Sequence, residues 1–208
     1  EIRPSLPLVE KMAQIATILG GETPTTMEVQ VRGDISGHDS SILATSALKG
    51  ALAAVSDEDI TYVNAPNLAQ VRSMVSSVNT DPECPEFRSA ITLKSGFATG
   101  KIISIQGTLM GIRKVEKIVK IGPFDLDLPT NNHLLFLRYP DKPGVVGLVG
   151  SALGKAGINI ASMQVARAKE GGDALMALNV DSPVTSSVLD ELASAVGAQL
   201  AKTVTLVG

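Results

Sequence analysis

Apolar positions recur along the first twenty residues at the spacing of one helical face. They are Leu8, Met12, Ile15 and Leu19, and Gly20-Gly21 closes the run. Met27, Val29 and Val31 then alternate with Glu28, Gln30 and Arg32, the period of a half-buried strand. Gly33 and Gly37 flank a turn, and Asp39 reads as the N-cap of a second helix with the stripe Ala44, Ala47, Leu48, Ala51, Leu52 and Val55. A short strand is expected over 60–63. Pro66 suits the first turn of a third helix running to about Val75. Residues 79–86 read as loop, and strands are expected at about 89–94, 101–109 and 113–121, separated by Gly96, Gly100 and Gly111.

Asp127-Leu128-Pro129-Thr130-Asn131-Asn132 reads as a linker between two apolar strands. Beyond it, 134–139 is a continuous apolar strand. Pro143-Gly144 opens a helix with Val145, Leu148, Val149, Ala152, Leu153 and Ala156 on one face, and Gly157 ends it. A strand over 158–167, a hairpin turn at Gly171-Gly172 and a strand over 174–180 follow. A helix begins at Thr185-Ser186-Ser187, with Val188, Leu189, Leu192 and Val196 inward, before a last strand over 199–206. The order β-α-β-β-α-β is the ferredoxin-like arrangement of four antiparallel strands with two helices on one face. The fold class is therefore α+β: a mixed α+β domain over 1–128 and a ferredoxin-like domain over 132–208.

Composition narrows the function classes. A chain of 208 residues and 21.6 kDa can bury about 70% of its unfolded surface. With 44% hydrophobic and 19% charged residues it is not a disordered chain. No apolar run is long enough for a transmembrane helix. A net charge of -3 without a basic cluster argues against nucleic acid and membrane surfaces as partners. Cys84 is the single cysteine, so no intrachain disulfide exists and a reducing compartment is expected. His38 and His133 are the only histidines, and neither HExxH nor CxxC occurs, so no metal site is assigned. The chain begins at Glu1 without Met and reads as a cut from something longer.

Candidate chemistry centres on the second domain. Gly144, Gly147, Gly150 and Gly154 do not have the spacing of a phosphate loop. The last three read as close helix packing. Gly144 lies at a strand-to-helix turn, where backbone N–H groups can hold a small carboxylate. Asp141 stands just before that turn and Asn159 opens the returning strand. Placed at one edge, they suit the α-ammonium of a free amino acid; turn residues are the plainer reading of both. Asp57, Glu58, Asp59, Asp190 and Glu191 read as solvated faces, so no catalytic residue is assigned. Arg113, Lys114, Lys117 and Lys120 form a basic strand, with Arg113 and Lys117 on one face and Lys114 and Lys120 on the other.

The stretch Tyr139-Pro140-Asp141-Lys142-Pro143-Gly144-Val145-Val146-Gly147, with Gly157-Ile158-Asn159-Ile160, resembles the ACT domain, a ferredoxin-like amino-acid-binding module. Val31-Arg32-Gly33, Ser46-Ala47-Leu48-Lys49-Gly50, Tyr62-Val63-Asn64-Ala65-Pro66 and Gly107-Thr108 resemble the intervening, allosteric substrate-binding domain of long D-3-phosphoglycerate dehydrogenases. The resemblance implies the C-terminal regulatory half of such an enzyme, which oxidises 3-phosphoglycerate with NAD in serine synthesis. The fragment itself would hold no cofactor, and the nucleotide-binding and catalytic domains would precede Glu1. L-serine, or another small amino acid, would bind between two ACT domains of a homo-oligomer. Its contacts would be Asp141, Pro143, Gly144, Asn159, Ile160 and, more weakly, Tyr139. Lys117 matches a position of a second anion site in the family, although 122–129 here carries no arginine. The resemblance implies a cytoplasmic protein, or one of the plastid stroma in a plant. Two alternatives stay open: a purely structural oligomerisation half, and the regulatory part of an L-serine dehydratase.

Overall fold

The computed structural model describes residues 2–131, 133–169 and 171–206. It is a mixed α and β structure that divides into two compact units, residues 2–122 and Pro123–Leu206. Asn132, the last residue of the expected linker, lies outside the described residues.

In the first unit, helix α1 (Leu6–Gly20) buries Leu8, Met12, Ile15 and Leu19 and ends on Gly21 at φ 85, a left-handed cap suited to glycine. Strand β1 (Thr26–Gly33) shows the expected alternation, with Met27, Val29 and Val31 buried. Helix α2 (Ile42–Ala53) packs on α1. Gly50 makes the crossing possible, because a Cβ there would stand 2.1 Å from the Glu10 carbonyl oxygen. The inward stripe is Leu43, Ala47, Leu48, Ala51 and Leu52; Ala44 is only partly buried, and Val55 lies past the helix end and is exposed. Asp39 does not cap this helix. Its Oδ1 accepts a hydrogen bond from the Ser41 amide at 3.0 Å, an Asx turn one residue before the helix.

The short strand expected over 60–63 is a turn. Thr61 and Asn64 close it by two reciprocal bonds, Thr61 N to Asn64 Oδ1 at 2.7 Å and Asn64 N to Thr61 Oγ1 at 3.2 Å. These local bonds compete with strand pairing. Helix α3 (Ala65–Val71) carries Pro66 in its first turn as expected but stops at Val71. Val75 instead opens strand β2 (Val75–Asp81), which pairs in parallel with β1. Part of the expected 79–86 loop is thus strand; β2 is an exposed edge of polar residues that periodicity does not mark. Strands β3 (Ser89–Gly96), β4 (Ile102–Met110) and β5 (Val115–Ile121) complete the order β2-β1-β3-β4-β5. Arg113 and Lys114 lie in the turn before β5, and a bulge opposite Gln106/Gly107 lets Ile118 and Val119 both be buried. The strict alternation of the basic strand is therefore lost.

In the second unit, strand β6 (Phe124–Pro129) occupies part of the expected linker and packs on the later strands β8 and β9. Strand β7 (His133–Pro140), helix α4 (Val145–Lys155), strands β8 (Ile160–Arg167) and β9 (Asp173–Val180), helix α5 (Ser186–Val196) and strand β10 (Leu200–Thr205) follow in the predicted order. The sheet order is β10-β7-β9-β8, antiparallel throughout. This is the ferredoxin-like fold. Its core joins Leu135, Leu137, Tyr139, Met176 and Leu178 of the sheet to Val145, Val149 and Leu153 of α4 and Leu192 and Val196 of α5. Thr185 caps α5 through its side chain, which accepts from the Val188 amide at 3.5 Å.

One expectation for α4 fails. Gly147, Gly150 and Gly154 do not mediate close packing: a Cβ at each would meet nothing within 4 Å. Leu148 is 49% exposed and Ala156 is exposed. Val145, Val149 and Leu153 are buried in the core, and Ala152 packs against it from partial burial.

Candidate functional site

The end of β7 gathers most of the expected effector contacts. Tyr139 is buried in the sheet, and burial followed by the nearby Asp141 charge raises its phenol above the ordinary value, with Arg167 partly offsetting the shift. Asp141 is anchored by its amide, which donates to the Gly172 carbonyl at 2.9 Å. Its Oδ2 lies 2.8 Å from Nε of Arg167, and its side chain is 15% exposed. The chain then turns through Pro143 to Gly144, which sits at φ 87, left-handed backbone that favours glycine. No side chain caps α4. Its first-turn amides therefore have no partner within the helix and carry the positive end of its dipole.

Asn159 and Ile160 are elsewhere. Strand β7 runs from His133, opposite Val180, to Pro140, opposite Asp173. Strand β8 runs from Ile160, opposite Val180, to Arg167, opposite Ala174. Strands β7 and β8 are therefore parallel to each other across β9, as a crossover helix requires. Asp141 follows the end of one, whereas Asn159 precedes the start of the other. An eight-residue strand separates them, a distance on the order of 25 Å. The expectation of one edge within one chain is thus corrected, because a crossover returns the chain to the opposite end of the sheet. The Asn159 side-chain amide instead donates from Nδ2 to Asp181 Oδ2 at 2.7 Å, and the Asn159 backbone carbonyl accepts from the Asp181 backbone amide at 3.1 Å.

Sequence reasoning did not find Arg167 or Asp181. Arg167 is detectable only through strand register, since it lies 26 positions after Asp141 in the chain and reaches it by pairing β8 beside β9. Lys117 lies in the first unit, on β5 opposite Thr108 and partly buried.

Comparison with known proteins agrees with this architecture. The model of the D-3-phosphoglycerate dehydrogenase intervening domain matches residues 1–122, and that of the ACT domain matches 133–197. The chain is 35% identical over 206 residues to the D-3-phosphoglycerate dehydrogenase of Mycobacterium leprae, covering 99% of this chain and 39% of that one. It is 36% identical over 198 residues to the Mycobacterium tuberculosis enzyme of that name (95% and 38%), and 33% identical over 207 residues to the Synechocystis enzyme (99% and 37%). The chain thus spans well under half the length of these relatives. It belongs to the D-3-phosphoglycerate dehydrogenase family, as an intervening domain followed by an ACT domain.

Proposed function

We propose that this chain is the regulatory part of an NAD-dependent D-3-phosphoglycerate dehydrogenase, and that its ACT unit binds L-serine, or a similarly small amino acid, as a feedback effector. In this reading the NAD site and the oxidation of 3-phosphoglycerate belong to the whole enzyme, and the protein works in the cytoplasm. The observation that carries the effector reading is the Asp141 carboxylate standing beside the uncapped start of α4. An α-amino acid presents an ammonium and a carboxylate on one carbon, and these two features complement it. The ammonium would meet Asp141, displacing or sharing it with Arg167. The carboxylate would meet the helix-start amides, with Arg167 available as a second cation.

Asn159 enters this site from a second copy. Strand β8 is a sheet edge. Pairing two β8 edges antiparallel about a twofold axis sets the start of one strand beside the end of the other. The second copy's Asn159 would then approach this chain's Arg167 and Asp141. The outward glycine face of α4, with Val146 at 51% and Val165 at 40% exposure, suits such a contact.

The same surface favours a second reading, an oligomerisation module with no ligand. A thermal-shift series with the twenty amino acids separates the two, since a ligand that binds the native state raises the melting temperature. A rise with L-serine supports the effector site; no rise with any amino acid at millimolar concentration supports the structural module.

A further inference from the structure

Asn159 and Asp181 hold each other at two points, just before β8 and just after β9. The Asn159 backbone carbonyl accepts from the Asp181 backbone amide at 3.1 Å, and Asn159 Nδ2 donates to Asp181 Oδ2 at 2.7 Å. A carboxylate offers only acceptor oxygens. The NH2 end of the Asn159 carboxamide must therefore face Asp181, and its Oδ1 must face away. Oxygen and nitrogen of this side chain are thus assigned by the chemistry of the partner. Among the described residues no donor meets Oδ1.

The local backbone keeps the pair in place. Gly157 turns the chain at φ 69 ahead of it. Strand β8 then carries a bulge: Ile160 lies opposite Val180 and Ser162 opposite Asn179, so Ala161 has no opposite residue. A bulge bends its strand and re-aims the side chains beside it. Side-chain bonds bracket this one. Asn159 meets Asp181 before it, and Asn179 Nδ2 donates to Ser162 Oγ at 2.9 Å after it. Asn179 is 1% exposed, so the second bond anchors the bulge inside the sheet.

We infer that Asp181 is a positioning residue of the effector site, holding the Asn159 carboxamide so that a ligand on a second copy meets an acceptor. This assignment rests on the effector reading and its β8 pairing. Across that pairing Oδ1 approaches Asp141 and Arg167 of the other copy. An acceptor beside the Asp141 carboxylate gives an ammonium two oxygens to donate to. It repels a carboxylate, which is left to the α4 amides and Arg167. The amino acid is thereby oriented, with its ammonium between Asp141 and the second copy's Asn159 Oδ1 and its carboxylate at the helix start.

The test is calorimetry of L-serine on the 208-residue chain and its variants. Asp181→Ala frees the carboxamide, and binding should weaken about two- to tenfold, the cost of ordering one side chain again. Asp181→Asn keeps an acceptor for Nδ2 and should recover most of that loss. Asp181 is exposed, so the melting temperature of the free chain should hardly move in either variant. Asp181→Ala added to Asn159→Ala should cost nothing further, because it acts only through Asn159. The exchanged pair, Asn159→Asp with Asp181→Asn, reverses the bond between the two residues and still presents an acceptor outward. It should bind L-serine at least as well as the unaltered chain. Undiminished affinity in Asp181→Ala, a further loss on top of Asn159→Ala, or lost binding in the exchanged pair at an unchanged melting temperature would each overturn the assignment alone. No heat with the unaltered chain would contradict the effector reading itself, and the assignment with it.

Discussion

Asp141 and Asn159 stand at opposite ends of the ACT sheet, one after Pro140 opposite Asp173 and the other before Ile160 opposite Val180. A single copy cannot close both around one small amino acid. In the proposed assembly, twofold pairing of β8 edges would bring one residue of each copy together, so that ligand binding and association would become one equilibrium. An effector that bridges two copies stabilises their association by the same free energy with which association favours the effector.

Asp141→Ala should weaken L-serine by roughly ten- to a hundredfold, the loss of a charge-assisted hydrogen bond. Calorimetry measures it. The variant also releases Arg167 from its 2.8 Å partner, so Arg167→Ala is the matching control. It should cost less, because Asp141 keeps its carboxylate for the ammonium.

The outward glycines of α4 allow a two-sided test. Gly147→Ala should favour the helix by about 0.5–1 kcal/mol, since its Cβ meets nothing within the chain. If that face is where a second copy packs, the same methyl group should weaken self-association, which sedimentation equilibrium reads. Unchanged association would move the interface elsewhere.

The first unit holds a polar cluster whose titration has a definite sign. The Tyr62 hydroxyl donates a short hydrogen bond to Glu10 Oε1, Ser46 Oγ lies 3.2 Å from it, and Lys49 Nζ is 2.6 Å from Glu10 Oε2. Burial, then the bond to Glu10, pushes the Tyr62 phenol up to about 12. A folded-state value above the ordinary 10.0 means the protonated phenol stabilises the fold. That contribution is complete below about pH 10 and is lost as pH rises toward 12. The chain has only two tyrosines, and the Tyr139 phenol is also raised, so phenolate absorbance followed against pH should show both titrating late, and Tyr62→Phe should remove the component near 12 while leaving that of Tyr139.

Gly50→Ala tests the α1–α2 crossing. Its methyl group would collide with the Glu10 backbone, where no rotamer change relieves it. A loss of about 1–3 kcal/mol is expected, read as a lower denaturant midpoint with unchanged slope.

Much of this fold was legible because burial is one-sided. The period of β1 and the α1 stripe follow from which residues must leave water, and the β-α-β-β-α-β order follows from strong punctuation by Gly144, Gly157 and Thr185. What escaped was set by pairing. The polar edge strand β2 gains its structure from β1 rather than from its own side chains, and the 60–63 turn is fixed by side-chain bonds between Thr61 and Asn64. At the site, Tyr139, Asp141, Pro143 and Gly144 were found together because they are contiguous. Arg167 was not, since only the register of β8 brings it to Asp141. Asn159 was set on the wrong end of the sheet because spacing along a crossover does not say which end the chain returns to.

The most direct measurement mixes two chains that each lack one half of the site. Asp141→Ala and Asn159→Ala are purified separately, and neither alone should bind L-serine well. In a mixed dimer one interface site regains both residues and the other loses both. Random exchange should therefore restore roughly a quarter of the sites at wild-type affinity. Calorimetry with L-serine on the mixture should show this recovered fraction. No recovery after verified subunit exchange would contradict a site built from Asp141 of one copy and Asn159 of the other.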